Sequence, residues 1–318
     1  MSDHDEEQQS AASQEATHGE GQTDFGHVPV LLELAIDFLA VRRGGTYIDA
    51  TVGLGGHSFA IAKRLGAAGR LIGFDKDPAA LAVANQRLSE PPVELQGDWP
   101  AITLMHASFA ELGERVKAGE ADGVLADLGV SSLQLNDAAR GFSFQAEGPL
   151  DMRMNPHVEP TAQQVVNHLD ERTLADVIYE FGEERRSRRI ARAIVRARPI
   201  RSTAHLAQVV SAAARSMKHE RIHPATRTFQ AIRIYVNREL DELRALLQAA
   251  PGVLKRGGRL VVISFHSLED RLVKESLREG ARQDVWQLLT RKPAIADEPE
   301  IERNPRSRSA KLRAAQRG

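Results

Sequence analysis

The chain has 318 residues, no cysteine and a formal net charge of −1. This length allows one large domain or a domain that carries a second one, and the lack of cysteine excludes disulfides, thiolate zinc sites and cysteine nucleophiles. The composition also fits a reducing compartment, and the first residues show no basic and apolar leader. We therefore expect a cytoplasmic protein with no membrane segment.

Charge is distributed unevenly along the chain. Residues 1–30 contain seven acids and no Lys or Arg, so the remainder carries a net charge of +6. Within that remainder, 181–233 holds thirteen Lys or Arg against three acids, and 303–318 adds six basic residues with no acid. Two basic clusters in a near-neutral protein favour a polyanionic partner over solvated helix faces alone.

The first part of the chain alternates between strand-like and helix-like patterns. Residues 1–24 are polar and acidic, which predicts a disordered tail, and apolar residues at helical spacing up to Leu39 predict an amphipathic helix from Val30 onward. Strand-like runs then follow at 46–50, 70–75, 102–106 and 123–127. Segments long enough for helices separate them, so we predict right-handed βαβ units in an α/β fold with a mostly parallel sheet.

A fifth strand is predicted over 259–265, more than a hundred residues after the fourth. The intervening pattern is mostly helical and contains much of the basic charge, which indicates a helical domain inserted into the sheet domain. The predicted divisions are a first part of the core at 25–136, a helical substrate-binding insert at 137–222, and a second part of the core with a basic C-terminal tail at 223–318.

A glycine-rich turn, DATVGLGGH at 49–57, stands directly after the first strand and before a helix. In a doubly wound sheet this is the nucleotide-binding position, because glycines let backbone amides approach a ligand at a helix N-terminus. Asp75 ends the second strand about twenty residues later, where an acid can bind ribose hydroxyls. Gly53, Gly55 and Gly56 are the candidate turn glycines.

Dinucleotide dehydrogenases share these features, so the choice of cofactor depends on charge. A dehydrogenase would gain nothing from an acid at Asp49, beside the negative pyrophosphate of its cofactor. A carboxylate there suits the positive sulfonium and ammonium groups of S-adenosylmethionine, directly or through water. The alternative is a glycine turn that only packs a helix on a strand. Asp127, at the end of the fourth strand, is then placed near the transferred methyl or the group that receives it.

Five longer motifs follow one another along the chain. They are HVPVLL at 27–32, DLGVSSLQL at 127–135, GPLDMRM at 148–154, HPATRTFQA at 223–231 and ISFHSLEDR at 263–271. In this order they resemble the ribosomal RNA small subunit methyltransferase H family, also called MraW, and the resemblance extends from about residue 25 to the C-terminus.

The resemblance implies a class I Rossmann-like methyltransferase fold and an enzyme that uses S-adenosyl-L-methionine. It also implies methylation of the N4 amino group of a specific cytidine in the decoding region of 16S rRNA, met within the small ribosomal subunit or an assembly intermediate. Cofactor contacts carried over from the family motifs are Gly55, Gly56, His57, Asp75, Phe109, Asp127 and Gln134.

Two carboxylates are candidates for the chemistry of transfer. An amine must be held in line with the methyl group and must lose a proton, so we predict that Asp127 orients the amine or the methyl donor. Asp151 is a second predicted proton acceptor, the alternative being that it only pairs with Arg153. No metal is expected.

Other patterns and classes remain open at this point. HERIH at 219–223 matches the zinc-protease pattern, but Pro224 disfavours helical geometry there, and Ser264, His266 and Asp270 supply only the residue types of a hydrolase triad. A DNA or protein methyltransferase on the same fold, and a noncatalytic RNA-binding protein, are the alternative functions. Both a monomer and a homodimer are compatible with the sequence.

Overall fold

The computed structural model describes residues 28–214 and 223–318, so the predicted acidic tail at 1–24 lies outside the described residues. The strands are β1 (Thr46–Asp49), β2 (Arg70–Asp75), β3 (Ala101–His106), β4 (Ala121–Asp127), β5 (Leu254–Ser264), β6 (Trp286–Leu288) and β7 (Lys311–Arg317). The α-helices are α1 (Leu32–Leu39), α2 (Gly56–Leu65), α3 (Pro78–Ser89), α4 (Leu112–Arg115), α5 (Ser132–Asn136), α6 (Ala162–His168), α7 (Glu171–Gly182), α8 (Ser187–Arg196), α9 (Thr203–Ala213), α10 (Ala225–Asn237), α11 (Glu239–Val253), α12 (Ser267–Arg282) and α13 (Glu298–Arg303). Within these ranges no helix is both long enough and apolar enough to span a bilayer.

The strands form one sheet in the order β3-β2-β1-β4-β5-β7-β6. The first five are parallel to one another, while β7 runs antiparallel to both β5 and β6. This arrangement confirms the predicted α/β class with a mostly parallel sheet. The strand order reverses between β1 and β4, which creates the crevice where open α/β sheets bind ligands.

Helices cover both faces of the sheet, which explains why its central strands are continuously apolar. On β4, Val124 and Ala126 face the core that contains α11 and α12, whereas Leu125 faces the core that contains α1 and α2. The same alternation continues on β5, where Val261 belongs to the second of these cores. The central strands are therefore held from both sides.

The prediction of a basic C-terminal tail is wrong, since most of its last residues form β7, which lies between β5 and the edge strand β6. Leu312 and Ala314 pack into the core beside α1 and α2. The buried Arg313 is neutralised by Asp270, whose Oδ1 accepts a hydrogen bond from Nε at 2.7 Å. Arg313, one of the basic residues that suggested a polyanionic partner, is thus neutralised inside the fold.

A third apolar core is formed by the helices between β4 and β5. It extends from Phe142 to Val236 and includes residues of α6, α7, α8, α9 and α10. Helix α11 packs instead on the sheet, through Leu243 and Leu246. The helical core therefore continues past residue 222, and we propose that the inserted domain ends at the junction of α10 and α11, at Asn237.

Candidate active site

A cavity of about 320 Å³ lies along the edge of the sheet where β1 to β5 end. Residues that directly follow these strands line one side, and residues of α10, α11 and α12 line the other. Of the predicted site residues, seven line the cavity: Gly53, Gly56, His57, Asp75, Phe109, Asp127 and Gln134. Asp49, Gly55 and Asp151 are not among the lining residues.

The glycine turn has the backbone shape that its sequence predicts. Gly53 and Gly55 have φ values of 52° and 78°, in the left-handed region that favours glycine. A Cβ atom at Gly56 would lie 2.3 Å from Cγ of Pro29, and one at Gly55 would lie 3.2 Å from Cβ of Ala84. Glycine at 55 and 56 thus allows close packing on both sides while α2 begins at the edge of the cavity.

Asp75 ties the end of β2 to this turn. Its Oδ2 accepts a hydrogen bond from the backbone N–H of Gly53 at 2.7 Å, and its Oδ1 accepts one from Asp77 at 2.8 Å. Burial raises the pKa of Asp75. Each carboxylate oxygen has a second lone pair, so the side chain can still accept hydrogen bonds from a ligand's hydroxyl groups.

Asp49 supports the turn from behind. Its side chain is fully buried, its Oδ1 accepts from the N–H of Thr51 at 3.1 Å, and its Oδ2 accepts from the hydroxyl of Ser58 at 2.6 Å. Burial raises the pKa of Asp49 to about 6. The structure does not bring this carboxylate to the cavity, because its place at the end of β1 turns it toward α2, and we assign it to holding the turn.

Asp127 ends β4 and lines the cavity. Its backbone N–H donates to Oγ1 of Thr51 at 2.6 Å, which fixes the main chain, while its Oδ2 lies 3.6 Å from Nδ1 of His57. Its Oδ1 is buried and has no hydrogen-bond partner. Burial, followed by the nearby negative charges of Asp49 and Glu269, raises the pKa of Asp127 well above its ordinary value. The side chain as a whole is 23% exposed, so the carboxylate can still accept from a donor N–H of a bound ligand.

Gln134, on α5, and Phe109, shortly after β3, both line the cavity. The Gln134 side chain accepts from the N–H of Ser131 at 2.9 Å and donates to Oδ2 of the fully buried Asp77 at 2.8 Å. Phe109 packs partly against the core on the α11 side. Gln134 thus joins α5 to the start of α3 at Asp77, and Phe109 adds an aromatic ring to the cavity wall.

Asp151 was predicted as a second proton acceptor, but the structure favours the alternative, in which it pairs with Arg153. Its Oδ1 accepts from Nε of Arg153 at 2.8 Å and its Oδ2 accepts from Nη2 at 2.7 Å. Burial alone would raise the pKa of Asp151, but the hydrogen bonds from Arg153 outweigh it and the pKa is lowered. Asp151 does not line the cavity, and its pairing with Arg153 makes it a poor base.

The far side of the cavity contains charged residues to which the sequence assigned no role. Glu239 accepts from Nε and Nη2 of Arg233 at 2.9 and 2.8 Å, and Lys76 pairs with Glu242 at 2.7 Å. Arg233 lies just after the HPATRTFQA motif, while α11 comes from a region read only as helical. These residues come together because α10 and α11 pack beside the sheet. Local sequence patterns do not reveal this packing.

Two further lining residues come from segments distant in sequence. Glu269 is part of the ISFHSLEDR motif, and Arg306 belongs to the segment that we predicted as tail. Nη1 of Arg306 donates to the hydroxyl of Ser132, and burial lowers the pKa of Arg306. The motif around Glu269 was a usable signal for a site residue, whereas nothing local marks Arg306.

The sequence left two other chemistries open, a zinc site at HERIH and a hydrolase triad. HERIH at 219–223 lies outside the described residues except for His223, whose ring packs 4.7 Å from that of Phe144. The candidate triad is not assembled, since Ser264 donates to the Lys311 carbonyl and Asp270 pairs with Arg313.

One group of possible metal ligands occurs among the described residues. Ligand atoms of Glu239, His266 and Glu269 lie within 4.8 Å of one another. Because both oxygens of Glu239 accept hydrogen bonds from Arg233, the charge of this carboxylate is already balanced without a cation. The expectation that no metal is needed stays a prediction.

Comparison with known proteins finds close relatives along almost the whole chain. Residues 24–318 match a model of the MraW methylase family. The chain is 68% identical to a ribosomal RNA small subunit methyltransferase H of Koribacter versatilis over 95% of this chain and 97% of that protein. It is 64% identical to one of Acidobacterium capsulatum over 92% and 98%. Among solved structures, an rRNA methylase from Streptococcus thermophilus is 13% identical with a TM-score of 0.41, over 92% of this chain and 98% of that one.

Proposed function

The chain belongs to the MraW methylase family, and we propose that this S-adenosylmethionine-dependent methyltransferase methylates the N4 amino group of a specific cytidine in the decoding region of 16S rRNA. The observation that carries the proposal is the position of Asp127, which ends β4 in the wall of the cavity with a side chain that is 23% exposed. Cytosine N4 carries two N–H donors that this carboxylate can hold. The proposed enzyme acts in the cytoplasm, on 16S rRNA within the small ribosomal subunit or an assembly intermediate.

The cavity fits the cofactor in a defined direction. Asp75 would accept the ribose hydroxyls and Phe109 would pack against adenine, as Asp75 ends β2, Phe109 follows the neighbouring strand β3, and both line the cavity. Gly53, Gly56 and the N-terminus of α2 would then hold the methionine portion, because backbone amides at a helix start stabilise a carboxylate. The sulfonium methyl would lie toward Asp127.

Methyl transfer then depends mainly on positioning. The exocyclic amine is a weak nucleophile because its lone pair is delocalised into the ring, whereas the sulfonium methyl group is already activated when bound. Asp127 would hold the amine in line with the methyl and sulfur, at a near-attack distance of about 3 Å, and would accept an amine proton. A base stacked in RNA must first be turned out to reach this position.

The insert offers a basic surface for the RNA backbone. On and beside α8, Arg185, Arg188, Arg189 and Arg196 are exposed. Arg186 has an internal role, since its Nη1 donates to the carbonyl of Ala214 at 2.8 Å. The exposed members of this cluster are therefore the candidates for phosphate contacts.

Charge reversal on α8 tests this surface. With Arg188→Glu, Arg189→Glu and Arg196→Glu combined, we expect weaker binding of small-subunit rRNA and a shallower salt dependence, by about 0.7 in log–log slope for each lost single-strand phosphate contact. Binding is measured at several salt concentrations. The matched control reverses Arg244, Arg278 and Arg282, which are exposed on α11 and α12. Equal losses in both variants would mean that net charge alone, not α8, attracts the RNA.

The class of substrate is tested by methyl transfer from labelled cofactor. We expect label to enter small ribosomal subunits or their assembly intermediates when these lack the modification, with less label in naked rRNA and none in DNA. Label in DNA or in ribosomal protein would instead support the other methyltransferase functions. No transfer to any of them, with RNA binding intact, would support a noncatalytic RNA-binding protein.

A further inference from the structure

Arg306 reaches the cavity from a short segment that connects α13 to β7 and is held by the surrounding fold. The side chain of the buried Asn304 donates to the carbonyl of Val28 at 2.9 Å. The hydroxyl of the buried Ser307 donates to the carbonyl of Asn304 at 2.8 Å, and the backbone N–H of Ala310 donates to the carbonyl of Ser307 at 3.0 Å. The backbone on both sides of Arg306 is therefore fixed.

The charge of Arg306 is not balanced by a carboxylate in the part of the chain that the structure describes. Three Lys or Arg side chains line the cavity, and the other two, Lys76 and Arg233, each pair with an acid of α11, at 2.7 and 2.8 Å. Arg306 is partly buried, its Nη1 donates to the hydroxyl of Ser132, and burial alone lowers its pKa. Because a buried cation is costly without a counter-charge, this part of the cavity favours an anion.

Along the edge of the sheet, the glycine turn, Asp127 and Arg306 follow one another. The turn comes after β1, Asp127 ends β4, and β5 and β7 are next in the strand order. Arg306 precedes β7, which begins beside the end of β5, where Lys311 pairs with Ser264. The bond to Ser132 also connects Arg306 to the segment that continues from Asp127 into α5. With the methionine portion of the cofactor at the turn, Arg306 is placed on the side of the acceptor.

The carboxylate of the cofactor is the competing anion. Pro29 lies against Gly56 at the start of α2, and the segment that carries Arg306 contacts the residue before Pro29. The backbone amides at that helix start already suit a carboxylate, however, and the contact of the Arg306 side chain itself is with Ser132. The observations therefore favour a phosphate of the RNA.

We propose that Arg306 is a positioning residue that binds a backbone phosphate next to the cytidine that is methylated, with Ser132 directing its guanidinium group. This inference rests on the proposed function. A guanidinium has five N–H donors in a planar fork that matches a phosphate, and Ser132 uses one of them. A phosphate contact fixes the register of a nucleic acid without reading its bases. Arg306 holds the backbone while Asp127 holds the amine, so a base turned out of the RNA is fixed at two points.

The first test asks which anion Arg306 binds, with Arg306→Gln in the full-length protein. At saturating cofactor we expect kcat/KM for unmethylated small subunits to fall about 10- to 100-fold, while the calorimetric affinity for cofactor stays within about twofold of the wild type. Arg306→Lys keeps the charge but not the fork and should recover part of the loss. Thermal unfolding shows whether each variant is folded. The control, Arg278→Gln on the exposed face of α12, should match the wild type.

Two results of this test would overturn the proposal. A loss of cofactor affinity in Arg306→Gln, with unchanged kcat/KM at saturating cofactor, would assign Arg306 to the carboxylate of the cofactor. Equal losses of kcat/KM in Arg306→Gln and Arg278→Gln would show that net charge alone, not a contact of Arg306, attracts the RNA.

The second test removes the phosphate instead of the arginine. Unmethylated small subunits are reconstituted with 16S rRNA that carries one uncharged methylphosphonate linkage, placed first on one side of the cytidine and then on the other. We expect one of the two linkages to slow wild-type single-turnover transfer about 10- to 100-fold and to cause no further loss in Arg306→Gln. Full wild-type transfer with both linkages, or the same loss in both enzymes, would contradict the proposal. Absence of transfer to cytidine N4 in unmodified subunits would contradict the proposed function itself.

Discussion

Replacing Asp127 with Asn should lower the rate of methyl transfer by about 10²- to 10⁴-fold, because the amide cannot accept the amine proton. The affinity for cofactor should change much less, since the turn at Gly53 and the hydrogen bonds of Asp75 remain. Single-turnover rates at saturating cofactor and RNA, together with calorimetric binding of cofactor, separate the two effects.

The matched control is Asp122→Asn, at the opposite end of the same strand. There the carboxylate accepts from the N–H of Thr46 at 2.9 Å and from Lys255 at 2.7 Å, far from the cavity. This change should lower stability rather than the rate of transfer. If Asp127→Asn transfers methyl groups within a few-fold of the wild type, Asp127 does not accept the proton.

Replacing Asp75 with Asn should weaken cofactor binding by about 10- to 100-fold, or about 1.4 to 2.8 kcal/mol. The ionised carboxylate would lose charge-assisted hydrogen bonds to the ribose, and an amide N–H would face the N–H donor of Gly53 or Asp77. Isothermal titration with cofactor measures the loss, and thermal unfolding without cofactor reports any damage to the turn.

Asp98→Asn is the control for this effect. Asp98 is also a carboxylate that accepts from a backbone N–H, that of Ala67 at 3.0 Å, and it pairs with Arg43 at the surface. We expect its substitution to leave cofactor affinity unchanged. Unchanged affinity in Asp75→Asn as well would remove Asp75 from the cofactor site.

The first four strands were accessible to prediction because each combines a short apolar run with a marked end, as at Asp75 and Asp127. Strand β7 was not, because Lys311, Arg313 and Arg317 make its sequence resemble a solvated tail. Arg313 is accommodated in the sheet only through Asp270, on a helix more than forty residues earlier. A long-range ion pair of this kind leaves no local pattern.

In the candidate site, the sequence predicted the positions of residues better than the directions of their side chains. Spacing placed Gly53, Gly56 and Asp127 correctly around the cavity, because the end of a parallel strand fixes where the following loop begins. It could not show that Asp49 turns toward Ser58 or that Asp151 is held by Arg153. Those outcomes depend on side-chain packing rather than on spacing.

The most direct test of the account is the identity of the methylated nucleoside. Small-subunit rRNA methylated by the purified enzyme is digested to nucleosides and analysed by mass spectrometry, with mapping of the modified position. We expect N4-methylcytidine at a single position in the decoding region, and its loss in Asp127→Asn. A methyl group on carbon 5 of cytosine, on another base or on ribose would contradict the proposed transfer to an exocyclic amine held by Asp127.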